Sequence, residues 1–228
     1  MSYVIATPEL SSVAVAGGIR RFPVRRIYCV GRNYAEHARE MGGDPDREPP
    51  FFFAKPADAV VPSGSKIPFP PGTQNLHHEI ELVVALGGEG AGVAPDNALD
   101  LVYGYAVGID LTRRDLQGAL REKGRPWELG KGFDKSAPIG LLYPASAIGH
   151  PSKGRIWLNV NDEPRQDGDI ADLVWSVPEL LSTLSRYFTL RPGDLIFTGT
   201  PAGVGPIQPG DKLNGGVDGL GEIEVYIG

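Results

Sequence analysis

Three acidic residues lie within, or at the end of, apolar segments of the sequence. Glu79 and Glu81 are one residue apart in the segment 77–86, and Asp110 ends a second apolar segment, 103–110. Because side chains alternate along a strand, Glu79 and Glu81 would project from the same face. Neighbouring buried carboxylates repel each other, and a hard divalent cation such as Mg²⁺ or Mn²⁺ would relieve that repulsion. The sequence therefore predicts a metal site formed by Glu79, Glu81 and Asp110.

The acidic pattern alone leaves two alternatives open. Glu-x-Glu also occurs on solvated strand edges, where both carboxylates pair with lysine or arginine. In addition, His77 and His78 directly precede the pair. An imidazole ligand would shift the preference of the site towards Zn²⁺ or Fe²⁺.

A histidine and a glutamate form a second candidate group. His37 and Glu40 are three residues apart, so on a helix they would be neighbours on one face. A carboxylate beside an imidazole fixes its tautomer and raises its basicity, which suits a general base acting on water. The alternative is an ordinary ion pair on an exposed helix.

Two glycine-rich segments supply the remaining candidates. Lys131 lies among glycine and aromatic residues in 127–134, where its charge could hold an oxyanion or an enolate, unless it is a surface lysine. The segment 198–205 offers backbone amides to an anion, or is a plain turn. It does not end in Gly-Lys-Ser/Thr, and no clear helix follows it, so the pattern does not indicate a nucleotide site.

The composition is that of an ordinary globular protein with one sizeable core. The chain has 228 residues, of which 41% are hydrophobic and 22% charged, and its formal charge is −6. Nothing in that balance attracts nucleic acid or an anionic membrane. The cationic stretch of Arg20, Arg21, Arg25 and Arg26 is interrupted by other residues and is expected to be a solvated edge.

The single cysteine and the hydropathy pattern bear on location. Cys29 stands in an apolar stretch, is expected to be a buried thiol, and leaves no possibility of a disulfide framework. No secretory pattern is visible at the N-terminus, and no apolar segment approaches the ~20 residues that span a bilayer. We therefore expect a soluble, cytoplasmic protein.

Short strands separated by Gly and Pro turns dominate the predicted elements. The pattern predicts carboxylate-bearing strands over 77–87 and 102–111, and a hairpin that turns at 161–163. Helices are predicted over 34–41 with Asn33 as N-cap, over 114–121, and from a capping box at Ser176 and Glu179. Without a βαβ rhythm, the fold class is a β-rich α+β sandwich or roll. Residues 1–25 are interpreted as a short N-terminal addition, and 26–228 as one catalytic domain.

Seven segments, taken in order, resemble the fumarylacetoacetate hydrolase family, in particular its small single-domain acylpyruvate and fumarylpyruvate hydrolases. Each segment is weakly specific alone, whereas the ordered set is strongly specific. The segments are 30–34, His37 with Glu40, 53–56, 79–81, 108–117, 127–134 and 198–205.

The resemblance implies a mixed β-sandwich or roll of the family's C-terminal-domain type, assembled as a homodimer. It implies Mg²⁺ or Mn²⁺ on the three carboxylates. It assigns His37 and Glu40 to water activation and Lys131 to catalysis. The residues that it places around the substrate are Arg32, Tyr34, Gln117 and Thr200.

The expected activity is metal-dependent cleavage of the carbon–carbon bond of a 2,4-diketo acid, with fumarylpyruvate as the preferred substrate. The cations near the motifs that could bind its distal carboxylate are Arg32, Arg113, Arg114 and Lys55. Two alternatives stay open. One is oxaloacetate decarboxylation or 2-oxo-diacid isomerisation on the same scaffold, and the other is a binding module with a structural metal.

Overall fold

The computed structural model describes residues 3–36 and 48–228, and short strands make up most of them. The helices are α1 (Arg114–Glu122), α2 (Glu128–Lys131), α3 (Ala145–Ile148) and α4 (Val177–Ser185), with 3₁₀ turns at Ala57–Ala59, Pro95–Leu101 and Ile170–Asp172. The strands are β1 (Ser12–Ala14), β2 (Arg21–Pro23), β3 (Arg26–Gly31), β4 (Phe51–Lys55), β5 (Val60–Pro62), β6 (Ser65–Ile67), β7 (Leu76–His78), β8 (Ile80–Leu86), β9 (Val102–Ile109), β10 (Thr112–Arg113), β11 (Ala137–Ile139), β12 (Tyr143–Pro144), β13 (Arg155–Val160), β14 (Glu163–Asp169), β15 (Asp194–Phe197), β16 (Gly205–Ile207), β17 (Lys212–Val217) and β18 (Glu222–Ile227).

Two large sheets enclose the main core. One has the order β4-β3-β15-β8-β9-β11-β5, with β12 paired to β9, and the other has the order β14-β13-β17-β18-β6. Apolar side chains of β8 and β9 pack between the sheets against those of β13, β17 and β18. Most pairs are antiparallel, whereas β3 with β15, β5 with β11 and β6 with β18 are parallel. The predicted β-rich α+β fold is confirmed.

Strand β8 is buried on both faces, which explains its apolar sequence. Leu82 and Val84 face the core between the sheets, whereas Val83 and Ala85 face a second core cluster. All seven residues of β8 are buried, and Glu81 is one of them. A carboxylate in such a strand needs a specific partner.

The strand predicted over 77–87 is interrupted at Glu79. β7 belongs to a small sheet of order β10-β7-β16, and β8 belongs to the large sheet. Glu79 stands where the chain passes between them, and its carbonyl accepts a 2.8 Å hydrogen bond from the backbone N–H of Asp110. The continuous strand was therefore a wrong prediction, but the interruption brings Glu79 against the end of β9.

The two longer helices, α1 and α4, follow the sequence pattern closely, whereas the short helices α2 and α3 were not predicted. α1 lies within one residue of its predicted bounds, and Ser176 N–H and Oγ both donate to Glu179 Oε2, at 3.0 and 2.7 Å, before α4. Phe188 lies beyond the end of α4 and is 42% exposed. No helix among the described residues is long and apolar enough to cross a membrane.

The N-terminal residues form a hairpin on the large sheet. β1 and β2 pair with each other, and Val13 and Phe22 join the second core cluster beside Ile27 and Cys29. Cys29 is fully buried, as expected, and burial raises the pKa of its thiol well above the usual value. The division into 1–25 and 26–228 stays a prediction.

Strand β9, which ends at the carboxylate cluster, tolerates no side chain at Gly104. A Cβ there would lie 2.3 Å from the carbonyl oxygen of Tyr143. We expect Gly104→Ala to lower the free energy of unfolding by about 1–3 kcal/mol, measured by chemical denaturation. Gly118 lies within α1 with no atom near its Cβ position, so Gly118→Ala is the control and should stabilise by about 0.5–1 kcal/mol. Equal stability of the two variants would contradict this packing.

Candidate metal centre and substrate cleft

The three predicted carboxylates converge at one buried point. One oxygen each of Glu79, Glu81 and Asp110 lies within 4.8 Å of the others, and the residues are 4%, 1% and 0% exposed. The pairing of β8 with β9 sets this geometry, because it aligns Ile80 with Ile109 and Glu81 with Gly108. The solvated-edge alternative for Glu79 and Glu81 is therefore wrong.

Lys131 lies against two of the carboxylates. Its Nζ donates to Glu79 Oε2 at 2.8 Å, to Asp110 Oδ2 at 2.7 Å and to Thr112 Oγ at 2.7 Å. Burial alone would lower the pKa of Lys131, but the charges of Asp110 and Glu79 outweigh burial and raise it. Lys131 is thus a buried ammonium, and the surface-lysine alternative is excluded.

Two further cations balance Glu79 and Asp110. Lys55 Nζ lies 2.8 Å from Asp110 Oδ1, and a guanidinium nitrogen of Arg114 donates to Glu79 Oε1. The contact of Lys55 with Asp110 does not have the angle of a hydrogen bond. Lys55 instead donates to the backbone carbonyls of Leu111, at 3.1 Å, and of Lys131. Asp110 Oδ1 accepts no hydrogen bond from the residues that the structure describes.

Glu81 is the carboxylate without a cation at ion-pair distance among the described residues. It accepts a 2.7 Å hydrogen bond from the backbone N–H of Gly199. Burial, followed by the neighbouring charges of Asp110 and Glu79, raises the pKa of Glu81 well above its usual value. The cluster therefore fits a divalent cation on two grounds: Glu81 has an uncompensated carboxylate, and Asp110 has a buried oxygen without a hydrogen bond.

The neighbouring histidines are not part of the cluster. His78 is buried, and its Nδ1 lies 2.9 Å from the side-chain oxygen of Gln166. His77 Nε2 lies 2.9 Å from the side chain of Asn75, and Arg114 Nε donates to His77 Nδ1 at 3.4 Å. With oxygen donors alone, the site suits Mg²⁺ or Mn²⁺ better than Zn²⁺ or Fe²⁺.

A cleft of about 420 Å³ opens above the carboxylates. Its floor is formed by Glu79, Glu81 and Lys131, and its walls by Val30, Gly31, Arg32, Phe51, Phe53, Arg114, Gln117, Arg121, Trp127 and Thr200. Helix α1 supplies Arg114, Gln117 and Arg121, because a spacing of three or four residues keeps side chains on one face. Gly130 allows α2 to approach α1, since a Cβ there would lie 3.0 Å from the backbone of Gln117.

Aromatic rings form one wall between the floor and the mouth of the cleft. Trp127 packs edge-on against Phe51 with ring centroids 5.2 Å apart, and lies 5.8 Å from Phe53. Gly31 makes room for this arrangement, because a Cβ at that position would overlap the ring of Phe51. Arg32 stands over the outer face of Phe51, with 5.9 Å between its guanidinium carbon and the ring centroid.

A model of the family described as Fumarylacetoacetate (FAA) hydrolase C-terminal matches residues 26–227. The chain belongs to this family.

Solved structures and curated proteins of the fumarylacetoacetate hydrolase family include similar chains with two different activities. The fumarylpyruvate hydrolase of Pseudomonas aeruginosa, solved with Mn²⁺ and pyruvate, is 56% identical with a TM-score of 0.97, and 99% of each chain is covered. A putative fumarylpyruvate hydrolase from Burkholderia cenocepacia is 54% identical with a TM-score of 0.94, covering 100% of this chain and 95% of the other. The mitochondrial oxaloacetate tautomerase FAHD1 of Homo sapiens is 44% identical, over 86% of this chain and 88% of its own length.

Four of the site residues that the family resemblance suggested line the cleft, namely Arg32, Gln117, Lys131 and Thr200. Tyr34 does not line it. That residue is buried beside Asp167, Asp172 and Pro201 around a neighbouring cavity. His37 and Glu40 lie outside the described residues, so the water-activating pair stays a prediction.

Asn33 makes long-range hydrogen bonds, and its predicted role as the cap of a helix over 34–41 stays a prediction because residues 37–47 lie outside the described residues. Its side-chain amide donates to the carbonyls of Trp175, at 2.9 Å, and Thr198, at 2.8 Å, and its Oδ1 accepts from the backbone N–H of Trp175. Gly199 packs directly on Asn33, since a Cβ at Gly199 would lie 2.7 Å from that of Asn33, and its φ of 103° favours glycine. Asn33 thus joins the end of β3 to the segment after β15.

Three of the four cations considered for a distal carboxylate have other partners. Lys55 and Arg114 serve the carboxylate cluster, as described above. Arg113 packs over the ring of Phe133 at 4.5 Å and donates to the carbonyl of Leu129 at 3.2 Å. Arg32 remains at the cleft, where it is joined by Arg121, which the motifs did not indicate. The helical spacing from Gln117 to Arg121 was the signal that could have identified it.

The position of Glu81 predicts opposite effects on metal binding and on metal-free stability. We expect Glu81→Gln to weaken Mn²⁺ binding more than about 100-fold, since loss of an outer-shell partner alone costs 10–100-fold. The unfolding temperature of the metal-free variant should rise because the repelled carboxylate is gone. The expected rise is about 2–4 °C for each kcal/mol gained in the free energy of unfolding. Calorimetric titration and thermal unfolding with and without Mn²⁺ measure both effects.

Glu89 is exposed and provides the control, so Glu89→Gln should leave the Mn²⁺ affinity and the unfolding temperature unchanged. Stabilisation of the Glu81→Gln variant by Mn²⁺ to the same extent as the wild type would contradict this metal site.

Proposed function

We propose that this protein is a metal-dependent acylpyruvate hydrolase whose preferred substrate is fumarylpyruvate, cleaved to fumarate and pyruvate. The observation that carries the proposal is the sequence of environments along one cleft. A buried carboxylate cluster forms its floor, aromatic rings form its middle wall, and two arginines stand among its outer residues. A homodimer and a cytoplasmic location stay predictions.

The charges at the floor favour an anionic substrate once a cation is bound. Among the described residues, the formal charges of the three carboxylates and of Lys55, Arg114 and Lys131 sum to zero, although none of these cations lies at ion-pair distance from Glu81. A bound Mg²⁺ or Mn²⁺ would supply Lewis-acid stabilisation of negative charge on a substrate oxygen, and Glu79, Glu81 and Asp110 would hold it. The resulting surplus of positive charge matches a 2-oxo carboxylate. The relative that was solved with Mn²⁺ and pyruvate supports this choice of cation.

The length of the cleft favours a long diacid. Arg114 contacts the carboxylate cluster, and Arg121 lies seven residues later on α1, which is about 10 Å along the helix axis. A 2,4-diketo acid with its 2-oxo carboxylate at the floor would extend its conjugated chain past Phe51 and Trp127. Its far carboxylate would then reach the region of Arg32 and Arg121, whose guanidinium groups can form charge-assisted hydrogen bonds with a carboxylate.

Hydrolysis also requires an activated water. We assign this role to His37, which would accept a proton from water, while Glu40 would orient the imidazole. The hydroxide would attack the carbonyl carbon of the acyl group, and the bond between that carbon and C3 of the pyruvate unit would break. The electron pair of that bond would leave on the pyruvate enolate, which would take up a proton at C3. Lys131 contacts Glu79 in the carboxylate cluster, so its positive charge would stabilise the enolate oxygen of a substrate bound there.

Oxaloacetate tautomerisation is the second candidate, and the 44% identity to the human tautomerase favours it. We rank it second because the identities to fumarylpyruvate hydrolases are higher, at 54% and 56%. Oxaloacetate is also too short to extend from the carboxylate cluster past the aromatic wall.

A substrate panel separates these activities. Purified protein with added Mn²⁺ would be given fumarylpyruvate, acetylpyruvate and enol-oxaloacetate, with enol absorbance followed and pyruvate, fumarate and CO₂ assayed. Hydrolysis predicts equimolar pyruvate and fumarate from fumarylpyruvate. Loss of the enol of oxaloacetate without pyruvate, together with no turnover of fumarylpyruvate, would establish the tautomerase instead.

Removal of His37 tests the proposed water activation. We expect His37→Ala to lower kcat for fumarylpyruvate by about 10²–10⁴-fold, the usual contribution of general-base assistance. Its Mn²⁺ affinity, measured by calorimetric titration, should be unchanged, because the proposed metal ligands are Glu79, Glu81 and Asp110. Undiminished turnover of fumarylpyruvate would show that the hydrolytic assignment is wrong.

The two arginines test the preference for a diacid. We expect Arg32→Gln and Arg121→Gln each to lower kcat/KM for fumarylpyruvate by about 10–100-fold, mainly through KM, since a hydrogen bond to a charged group contributes about 1.5–3 kcal/mol. Acetylpyruvate has no distal carboxylate, so its kcat/KM should change less than threefold. Lys123, exposed just after α1, supplies the control Lys123→Gln. Equal losses with both substrates would rule out a distal carboxylate site.

A further inference from the structure

Gln166 is a buried polar residue in a strand whose other side chains are largely solvated. It is 1% exposed and is the single buried residue of β14. A register shift between β13 and β14 places Gln166 opposite Leu158 but Pro164 opposite Asn159, so Arg165 is the extra residue of a bulge. Such bulges re-aim a side chain, and here the side chain points away from solvent towards the cleft loop.

The carboxamide of Gln166 makes all four of its possible hydrogen bonds. Its Oε1 accepts from the backbone N–H of Ile80 at 3.1 Å and lies 2.9 Å from His78 Nδ1. Its Nε2 donates to Thr200 Oγ and to the carbonyl of Pro201, both at 2.8 Å. Because Ile80 N–H can only donate and Pro201 O can only accept, the orientation of the amide is fixed.

This orientation has a direct consequence for Thr200. A hydroxyl has one hydrogen to donate, and its oxygen can accept from others. Since Thr200 Oγ accepts from Gln166, its own hydrogen remains available, and it is given to no other described residue. Thr200 lines the cleft, so the hydrogen can be directed at a substrate oxygen.

The loop that carries Thr200 is also held tightly against β14. Gly203, with a φ of 92°, approaches so closely that a Cβ there would lie 2.0 Å from the carbonyl oxygen of Arg165. Gly168 also packs on the ring of Pro201, since a Cβ at Gly168 would lie 2.9 Å from that ring. The distance between Gln166 and Thr200 is therefore set by backbone packing.

We propose that Gln166 is a positioning residue that commits the Thr200 hydroxyl to donate a hydrogen bond to a carboxylate or carbonyl oxygen of the substrate. The proposal rests on the proposed function in so far as Thr200 faces that substrate. A carboxylate at position 166 would accept from Thr200 and so withdraw the donor from the cleft.

A double-mutant cycle distinguishes this role from a purely structural one. The variants are Gln166→Glu in three backgrounds, namely wild type, Thr200→Val and Thr200→Ser. The readouts are kcat/KM for fumarylpyruvate, the Kd of pyruvate for the Mn²⁺-loaded protein, and the Kd of Mn²⁺ itself. Thermal unfolding of each metal-free variant reports whether the fold is retained.

We expect Thr200→Val to weaken pyruvate binding and kcat/KM by about 10–100-fold, as for a lost hydrogen bond to a charged group. Gln166→Glu should cause a similar loss in the wild type and in Thr200→Ser, which keep a hydroxyl. In the Thr200→Val background, Gln166→Glu should lower pyruvate affinity and kcat/KM by less than a further factor of about three, because no hydroxyl remains to be reoriented. Mn²⁺ affinity should stay within about threefold throughout.

The proposal would be overturned if the loss in the double variant equalled the product of the losses caused by Gln166→Glu and Thr200→Val alone, or if Mn²⁺ affinity fell in parallel. Either result would give Gln166 a structural role beside Ile80. If Gln166→Glu does not fold, Gln166→Met replaces it, with an expected loss of about 3–10-fold that again vanishes in Thr200→Val. The pyruvate measurements need no turnover, so a failure of the proposed hydrolysis would leave this test intact.

Discussion

The mutual repulsion of three buried carboxylates is the constraint around which this structure is organised. Glu79, Glu81 and Asp110 meet where water is largely excluded, so each needs a cation or a hydrogen-bond donor. Lys131 bridges two of them, and a backbone N–H serves the third. Among the described residues no cation lies at ion-pair distance from Glu81, and the cluster therefore offers both a negative charge and the oxygen atoms that a divalent ion requires.

The sheets keep the cluster in place by holding its members on short, heavily packed segments. Thr198 donates through both its backbone N–H and its hydroxyl to the carbonyl of Leu82, which joins the end of β15 to β8. Gln166 connects the second large sheet to the backbone of Ile80, between the two glutamates. The floor of the cleft is thus fixed by both sheets, whereas α1, α2 and the aromatic wall shape the space above it.

The sequence indicated those features that depend on local pattern. Alternation placed Glu79 and Glu81 together, and the capping box located the start of α4, because both signals span only a few residues. The partners of the carboxylates could not be found in this way. Arg114 is 35 residues from Glu79 along the chain, and Lys55 is 55 residues from Asp110, so only the folded topology brings them together. Asn33 shows the same limit, since its hydrogen bonds to Trp175 and Thr198 join residues that are 142 and 165 positions apart in the sequence.

Fumarylpyruvate hydrolysis and oxaloacetate tautomerisation both develop negative charge on the oxygen of an enol or enolate. A buried cation-binding floor with Lys131 beside it serves either reaction equally well, so the floor cannot be what separates the two activities in this family. Discrimination must come from features that only one substrate uses. Only hydrolysis needs a water-activating base. The second carboxylate of fumarylpyruvate also lies farther from the 2-oxo acid group than the second carboxylate of oxaloacetate does. In the proposed binding mode Arg32 and Arg121 would meet that second charge, so the outer cleft would be the part of this chain that selects between the two reactions.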